Sequence, residues 1–175
     1  RAMGDSKPKY LNTQETPIFA KGTLLFGLYE ARDEIRRQKH AFACEGYMDV
    51  VMLAQHGILN AVASLGTAFT RAHAERLLTQ TKAITFSFDG DAAGRKAAYK
   101  ACLVMLPLIS EDHDIRVLVI PDDQDPDEFV RSKGATEFLA LQTSTLLDFL
   151  LANLASTHNI ASPEGKARAM RDGEE

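Results

Sequence analysis

Two aspartates separated by one glycine, in the sequence Asp89-Gly90-Asp91, follow directly after an apolar run and could bind a divalent cation. Carboxylate oxygens are the ligands that Mg²⁺ and Mn²⁺ prefer in proteins. Aspartate and glycine are also common in turns, and aspartate often caps the N-terminus of a helix. The pair alone therefore fits a simple turn as well as a metal site, and other residues must distinguish the two.

Four further acids stand at comparable positions, each shortly after an apolar run. Glu45 and Asp49 follow residues 40–44, and Asp125 and Asp127 follow residues 115–120. Whether the six carboxylates meet therefore depends on how the elements formed by these runs are arranged.

The apolar residues predict four strands that alternate with helices. Runs rich in β-branched, aromatic and small apolar residues predict buried strands over 40–44, 60–64, 84–88 and 115–120. Apolar residues spaced three and four apart predict helices over 24–38, 48–56, 70–79, 92–108, 128–132, 136–141 and 146–155, with Thr70 as the N-cap of the third. This alternation is typical of a parallel sheet with right-handed crossover connections.

In a parallel sheet the carboxyl ends of the strands lie along one edge, where α/β proteins bind their ligands. The six acids are therefore expected to converge there. Six carboxylates in one place would repel each other strongly unless a cation neutralised them. The sequence thus favours a divalent-cation site over turn formation alone.

The composition is that of an ordinary globular chain of 175 residues, 45% hydrophobic and 25% charged. Residues 1–40 contain eight Lys or Arg and five acids, whereas residues 111–128 contain eight acids and one Arg. A basic first part fits an anionic ligand, and an acidic later part fits a metal. Every apolar run is shorter than the roughly 18 residues of a membrane span, and no secretory signal opens the chain, so we expect a cytoplasmic protein.

The two cysteines, Cys44 and Cys102, lie in apolar contexts and lack the spacing of zinc ligands. We expect both to be small buried hydrophobic residues. No structural zinc is expected within this chain.

Residues 1–22 are polar, contain Pro and Gly, and predict an extended connecting segment. Arg1, Lys9 and Lys21, with Tyr10 beside one of them, would suit phosphate contacts and base stacking. An ordinary solvated loop is the alternative for three isolated cations.

Several motifs in the chain resemble one family. The motifs are Glu45-Gly-Tyr-Met-Asp49, Ala63-Ser-Leu-Gly-Thr67, Asp89-Gly-Asp91-x-Ala-Gly-Arg95 and Pro121-x-x-x-Asp125-Pro-Asp127. They resemble the Toprim domain of bacterial DnaG-type primases. The segment Pro8-Lys9-Tyr-Leu-Asn12, with Thr16-Pro-x-Phe19-x-Lys21-Gly22, is similar to the connecting segment of the same proteins.

The resemblance implies an α/β fold with a Toprim (Rossmann-like) parallel sheet flanked by helices. It implies an N-terminal connecting segment and helix over 1–39, a catalytic Toprim domain over 40–134, and a truncated helical subdomain over 135–175. The implied activity is metal-dependent synthesis of short RNA primers from ribonucleoside triphosphates on a single-stranded DNA template. A replicative helicase is the implied partner, through a domain absent from this chain.

The resemblance also implies roles for individual residues. Glu45, Asp89 and Asp91 match the central catalytic and metal-binding acids, and Asp49, Asp125 and Asp127 match the outer metal ligands. Two or more Mg²⁺ or Mn²⁺ ions are implied. Arg1, Lys9 and Lys21 match basic positions that contact nucleotide or template, and Tyr10 is grouped with them. The glycines that let backbone and ligand approach closely are Gly46, Gly66, Gly90 and Gly94.

Four other residues lie near the motifs without matching a metal-binding position. Arg95 could contact a phosphate or form a structural ion pair. Asp112, Asp122 and Asp123 are expected to be solvated surface. Because the chain begins inside the primase core and ends within the helical subdomain, we expect it to fold and bind metal but to synthesise primers weakly or not at all by itself.

Three other functions fit the sequence less well. Strand cleavage by a topoisomerase needs a nucleophilic tyrosine, and none of the four is placed for that role: Tyr10, Tyr29, Tyr47 and Tyr99. A receiver-like signalling module needs a Lys where a later strand ends, whereas residues 115–120 are followed by Pro121 and acids. A hydrolase with an Asp-x-Asp nucleophile needs a small hydroxylated turn after Asp91, which is missing here.

Overall fold

The computed structural model describes residues 20–157 and the single residues Thr16 and Ser162. The strands are β1 Leu25–Phe26, β2 His40–Cys44, β3 Ala61–Ser64, β4 Ala83–Phe88, β5 Asp114–Val119 and β6 Ser144–Thr145. The helices are α1 Leu28–Gln38, α2 Tyr47–Gln55, α3 Arg71–Leu78, α4 Ala92–Met105, α5 Pro126–Lys133, α6 Ala135–Leu139 and α7 Leu146–Thr157, and a 3₁₀ turn, Leu106–Leu108, continues α4. The predicted continuation of the helical subdomain beyond residue 157 lies outside the described residues.

The six strands form one sheet in the order β1-β3-β2-β4-β5-β6. Its four inner strands, β3, β2, β4 and β5, are parallel. This arrangement confirms the predicted parallel sheet. It also brings the carboxyl ends of β2, β4 and β5 side by side.

The two outer strands, β1 and β6, are antiparallel to their neighbours, and the sequence did not predict them. Leu25 and Phe26 pair with Ser64 and Ala63, so the helix predicted from residue 24 begins only at Leu28. Gly27, with φ of 77°, separates the strand from the helix. Strands of two residues are too short to show an alternating pattern, so only pairing with a neighbour reveals them.

Helices cover both faces of the sheet and give it two apolar cores. The larger core packs α1, α3, α4 and α7 around residues such as Ile35, Leu77 and Phe86. The other packs α2, α5 and α6 around residues such as Leu53 and Phe129. Burial on both faces explains why the strands are almost continuously apolar.

Both cysteines are buried and free, as expected. Within residues 20–157, no helix is long and apolar enough to cross a membrane.

Helix α3 begins at a cap that also fastens the segment before β1. The Thr70 hydroxyl accepts a hydrogen bond from His73 N at 3.2 Å, which confirms Thr70 as the N-cap. The Thr70 hydroxyl also donates to the carbonyl of Gly22 at 2.6 Å. The fully buried His73 ring accepts from Thr70 N through Nδ1 and donates from Nε2 to the carbonyl of Lys21 at 2.8 Å. This network requires a neutral imidazole.

Burial lowers the pKa of His73 below the ordinary value of 6.5. The unfolded chain therefore binds more protons than the native chain just below pH 6.5, and the stabilisation by His73 is complete above that pH and lost as the pH falls. We expect the difference in free energy of unfolding between the parent and His73→Gln to shrink between pH 7 and pH 5. Urea denaturation at several pH values measures it, and a difference that stays constant would contradict the assignment.

Candidate metal centre

Three neighbouring strand ends carry the acids that the sequence singled out. Glu45 follows β2 and Asp89 follows β4, and these strands pair in register through Cys44 and Ser87. The loop after β5, which leads to Asp125, is adjacent because Phe88 pairs with Val119. The expected convergence on one edge of the sheet is therefore present in the backbone.

Hydrogen bonds join the loop after β4 to the loop after β5. The N–H group of Gly90 donates to the carbonyl of Gln124 at 3.0 Å, and that of Ile120 donates to Phe88 at 3.1 Å. The loop after β5 turns back through Asp122 and Asp123, whose φ values are 59° and 54°. Both aspartates are exposed, as expected, but they also form the turn that directs Asp125 toward Asp89.

Two glycines allow close packing around the loop after β4. A Cβ atom on Gly90 would overlap the carbonyl oxygen of Ile120 and lie 3.0 Å from the backbone nitrogen of Asp123. A Cβ atom on Gly94 would overlap the carbonyl oxygen of Asp89 and lie 2.8 Å from its Cβ. Both glycines are buried against protein backbone. Elsewhere at the edge, Gly66 adopts a φ of 67°, and Gly46 precedes α2 as its N-cap.

Three of the acids have one carboxylate oxygen held by the protein. Asp91 Oδ1 accepts from Gly94 N at 2.7 Å, and Asp125 Oδ1 accepts from Glu128 N at 2.7 Å, so each caps a helix. Asp127 Oδ1 pairs with Arg131 at 2.6 Å. Within the described part of the chain, the second oxygen of each carboxylate has no hydrogen-bond partner. The capping role considered for Asp91 is therefore real, and it still leaves one oxygen for a ligand.

Asp49 is the most buried of the six acids, with 6% of its surface exposed. Its carboxylate accepts a hydrogen bond from Gly46 N at 3.0 Å, and the backbone of Asp127 also lowers its pKa. Burial raises its pKa to about 7, and the nearby charges of Asp125 and Asp89 add to the shift. Asp49 therefore lies beneath the edge formed by the other acids and is electrostatically coupled to them.

The carboxylates at the edge also raise each other's pKa values. Partial burial raises the pKa of Asp89 to about 6, and repulsion from Glu45, Asp125, Asp91 and Glu128 contributes. Partial burial and Asp91 also raise the pKa of Glu45. Glu128 is a neighbour that the sequence analysis missed, although its position three residues after Asp125 in the first turn of α5 was a signal for it.

The edge is an incomplete metal site as it stands. Among residues 20–157, no three His, Cys, Asp or Glu side chains lie close enough together to hold one ion. Hard oxygen donors with free carboxylate oxygens nevertheless suit Mg²⁺ and Mn²⁺. Side-chain rotation at the edge would therefore have to accompany ion binding.

Of the residues expected to contact nucleotide or template, only Lys21 lies within the described part of the chain. Lys21 lies beside the N-terminus of α3, where its carbonyl accepts from His73. Arg1, Lys9 and Tyr10 lie outside the described residues. Asp112 pairs with Lys82 at 2.8 Å on the surface, and both side chains are exposed.

Arg95 forms no ion pair with any described residue, although it stands next to the acidic edge. Its Nε donates to the carbonyl of Gly90 at 3.1 Å. The expected structural ion pair of Arg95 is therefore not formed with any described residue. The phosphate contact remains a hypothesis.

A buried hydroxyl near the edge has no hydrogen-bond partner in the described part of the chain. Ser87, fully buried on β4, precedes Phe88 and Asp89. Because an unsatisfied buried hydroxyl costs free energy, we expect Ser87→Ala to raise the free energy of unfolding by about 1 kcal/mol. Guanidinium denaturation measures the change.

A matched variant on the same strand is Thr85→Val. Thr85 bonds to the His40 ring at 2.9 Å, so its loss should lower stability by about 1 kcal/mol. A Ser87→Ala variant destabilised as much as Thr85→Val would show that the Ser87 hydroxyl is satisfied.

Comparison with known proteins shows that the chain is similar to DNA primases. Residues 42–130 match the family described as Toprim-like, and residues 1–32 match the N-terminal domain of the DNA primase catalytic core. The DNA primase of Pseudomonas aeruginosa is 46% identical over 170 residues, which are 95% of this chain and 26% of that protein. The chain therefore spans only about a quarter of this relative's length.

Two solved structures support the same relationship. A DNA primase domain from Pseudomonas aeruginosa superposes with a TM-score of 0.88 at 46% identity, over 97% of this chain and 54% of that one. A DnaG primase catalytic domain bound to single-stranded DNA superposes with a TM-score of 0.86 at 43% identity, over 95% of this chain and 54% of that one. The described fold therefore matches about half of a primase catalytic core.

Proposed function

Because this chain belongs to the Toprim-containing family of DnaG-type DNA primases, we propose that it carries the catalytic edge of a DNA primase. The reaction joins ribonucleoside triphosphates into a short RNA primer on a single-stranded DNA template. The observation that carries the proposal is the convergence of mutually repelling carboxylates at the ends of β2, β4 and β5. Because the chain spans only 26% of its relative in Pseudomonas aeruginosa, we propose this activity for a full-length primase and not for the 175-residue chain alone.

We assign the central positions to Glu45, Asp89 and Asp91, and the outer metal-binding positions to Asp49, Asp125 and Asp127. Two or more Mg²⁺ or Mn²⁺ ions would neutralise charge on the transferred phosphoryl group and make the attacking 3′-hydroxyl more acidic. Support comes from Asp91, Asp125 and Asp127, each of which has one oxygen held by backbone or by Arg131 and one oxygen without a partner among the described residues. Such contacts fix the orientation of each carboxylate before a metal ion binds to it.

The chain's own contribution is to position the reactants and to balance charge. Asp49 and Asp89, with pKa values of about 7 and 6, hold protons more readily than ordinary carboxylates. They are therefore expected to release those protons when a cation binds. Gly90 lets the loop after β4 pack against the loop after β5, and Gly94 lets the first turn of α4 pack against Asp89, so that the donors stay at one edge.

The nucleotide and template contacts are assigned to Arg1, Lys9, Tyr10 and Lys21. Lys21 supports this assignment because its backbone is fastened to the N-terminus of α3, on the same side of the sheet as the carboxyl ends of the strands. We further propose the division into a connecting segment over 1–39, a Toprim domain over 40–134 and a helical subdomain over 135–175.

The partners follow from the same proposal. They are single-stranded DNA, ribonucleoside triphosphates, the RNA product and, in the longer protein, a replicative helicase. A related catalytic domain has been solved with single-stranded DNA, which supports the first of them. Replication of a bacterial chromosome would place the protein in the cytoplasm. By itself the chain is expected to synthesise primers weakly or not at all.

Primer synthesis by the full-length protein tests the proposed function. Labelled ribonucleotides are incorporated on a single-stranded template by the parent and by Asp89→Asn. The substitution is expected to reduce the rate at least about a hundredfold, because metal ions supply several kcal/mol of transition-state stabilisation.

The matched control is Asp112→Asn, which removes an exposed acid far from the edge whose ion pair contributes little. This control should retain the parent rate. Equal rates in the parent and in Asp89→Asn would refute the assignment of the edge, and primer synthesis by the 175-residue chain alone would refute the expectation for the isolated segment.

A further inference from the structure

A groove of about 520 Å³ opens beside the acidic edge, between α4, β5, β6 and α7. Val117, Val119 and Phe149 line its apolar part, and Arg95, Gln142 and Asn153 are among its polar residues. None of the described lining residues is acidic, in contrast to the neighbouring edge. The volume lies in the range of sites for small molecules.

Arg95 gives the groove a positive charge that no described residue neutralises. The hydrogen bond from its Nε to Gly90 restrains the side chain, while both terminal nitrogens have no partner among the described residues. A restrained guanidinium loses less conformational entropy when it binds, and its fork of N–H groups matches a phosphate.

Phe149 offers an aromatic surface in the same groove. Its ring is half-buried against the larger core, and no other aromatic ring in the described part of the chain packs against it. Nucleic acid bases stack on such rings regardless of base type.

Two amide side chains complete the lining. Neither the Gln142 nor the Asn153 side chain makes a hydrogen bond to a described residue, although Asn153 accepts through its backbone carbonyl from Ser156 and Thr157. Each amide offers both donors and an acceptor, which is the combination that reads the polar edge of a base.

We propose that this groove binds a nucleotide, with the phosphate on Arg95, the base against Phe149, and the base edge at Gln142 and Asn153. The nucleotide is either free in solution or part of a single strand, since both present the same chemistry. The site is separate from the acidic edge and requires no metal. Because Arg95 is anchored to Gly90, a strand held in the groove would reach the edge at the glycine between Asp89 and Asp91.

Fluorescence titration in EDTA tests the proposal with the 175-residue chain. The probes are AMP carrying an N-methylanthraniloyl group and a labelled trinucleotide with a 5′-phosphate. Saturable binding of at least one probe is expected in the parent, and Arg95→Gln should weaken it at least tenfold. The matched control is Lys96→Gln, which removes the same charge from the next residue, is exposed, does not line the groove, and should change affinity less than twofold.

A second pair of measurements separates a lost contact from a disturbed fold. Asn153→Ala removes no side-chain hydrogen bond to a described residue and should still weaken binding of the preferred probe about threefold or more. A labelled nucleoside without phosphate should bind equally to the parent and to Arg95→Gln.

The two probes also identify the source of the nucleotide. Preference for AMP indicates a free nucleotide, and preference for the trinucleotide indicates a strand. The proposal is overturned if neither probe binds the parent in EDTA, or if Arg95→Gln and Lys96→Gln weaken binding equally. Metal binding at the acidic edge would be untouched by either result, so failure here is distinguishable from failure of the proposed function.

Discussion

Asp49→Asn is expected to stabilise the metal-free protein by about 2–4 kcal/mol at pH 8, because the native fold buries the Asp49 carboxylate among other acids. The pKa of Asp49 is raised to about 7 from an ordinary value of 3.8. A raised pKa means that the native state binds more protons than the unfolded state, so the stabilisation from protonated Asp49 is complete below pH 3.8 and lost as the pH rises through 7. Asparagine is neutral at every pH and avoids that loss.

Chemical denaturation in EDTA at pH 5 and pH 8 measures the effect. The variant should exceed the parent in stability clearly at pH 8 and much less at pH 5. Asp33→Asn is the control, because the Asp33 side chain is 86% exposed and its loss should change stability by less than about 0.5 kcal/mol at both pH values. A parent that is as stable as Asp49→Asn at pH 8 would show that the Asp49 charge is compensated within the metal-free fold.

Gly90→Ala is expected to destabilise the protein by about 3 kcal/mol or more. A methyl group at this position would overlap the Ile120 carbonyl and press on the backbone of Asp123, and backbone cannot move aside as the end of a flexible side chain can. The two acidic loops would be forced apart, and the hydrogen bond from Gly90 to Gln124 would be lost. We therefore expect weaker Mn²⁺ binding as well as lower stability.

Gly22→Ala is the matched control for the glycine variant. Its added Cβ would lie 3.8 Å from the Thr70 side chain, which is an ordinary van der Waals contact. The free energy of unfolding should change by less than about 0.5 kcal/mol. If urea denaturation placed Gly90→Ala within that margin too, the packing of the two loops would not depend on the glycine.

The sequence predicted the central fold because the relevant signals are local. The apolar run that became β2 matches its prediction residue for residue, β4 begins one residue earlier than predicted, and β5 is shifted by one residue at both ends. Alternation of strands and helices then implies a parallel sheet, and a parallel sheet implies one edge where the acids meet. The Thr70 cap was also readable, since capping depends on a residue and its near neighbours.

The features that were missed depend on contacts between distant residues. Neither the pairing of Phe26 with Ala63 nor that of Ser144 with Val117 leaves a periodic pattern in so short a segment. The burial of Asp49 arises from packing beneath the edge and not from its own motif. Likewise, the hydrogen bond from Arg95 to Gly90 could not be distinguished from an ion pair while the positions of the acids were unknown.

We infer that the acids at the ends of β2, β4 and β5 form a divalent-cation site, and calorimetric titration with Mn²⁺ measures whether they do. The comparison is between the parent and the double variant Asp89→Ala with Asp91→Ala, each with and without a ribonucleoside triphosphate. Titration at pH 7 in buffers of different ionisation enthalpy also measures the protons released, which should be more than zero because Asp49 and Asp89 have pKa values of about 7 and 6. We predict saturable binding in the parent and none in the double variant. Absence of binding in the parent under both conditions, or equal binding by both proteins, would show that these acids do not form the metal site.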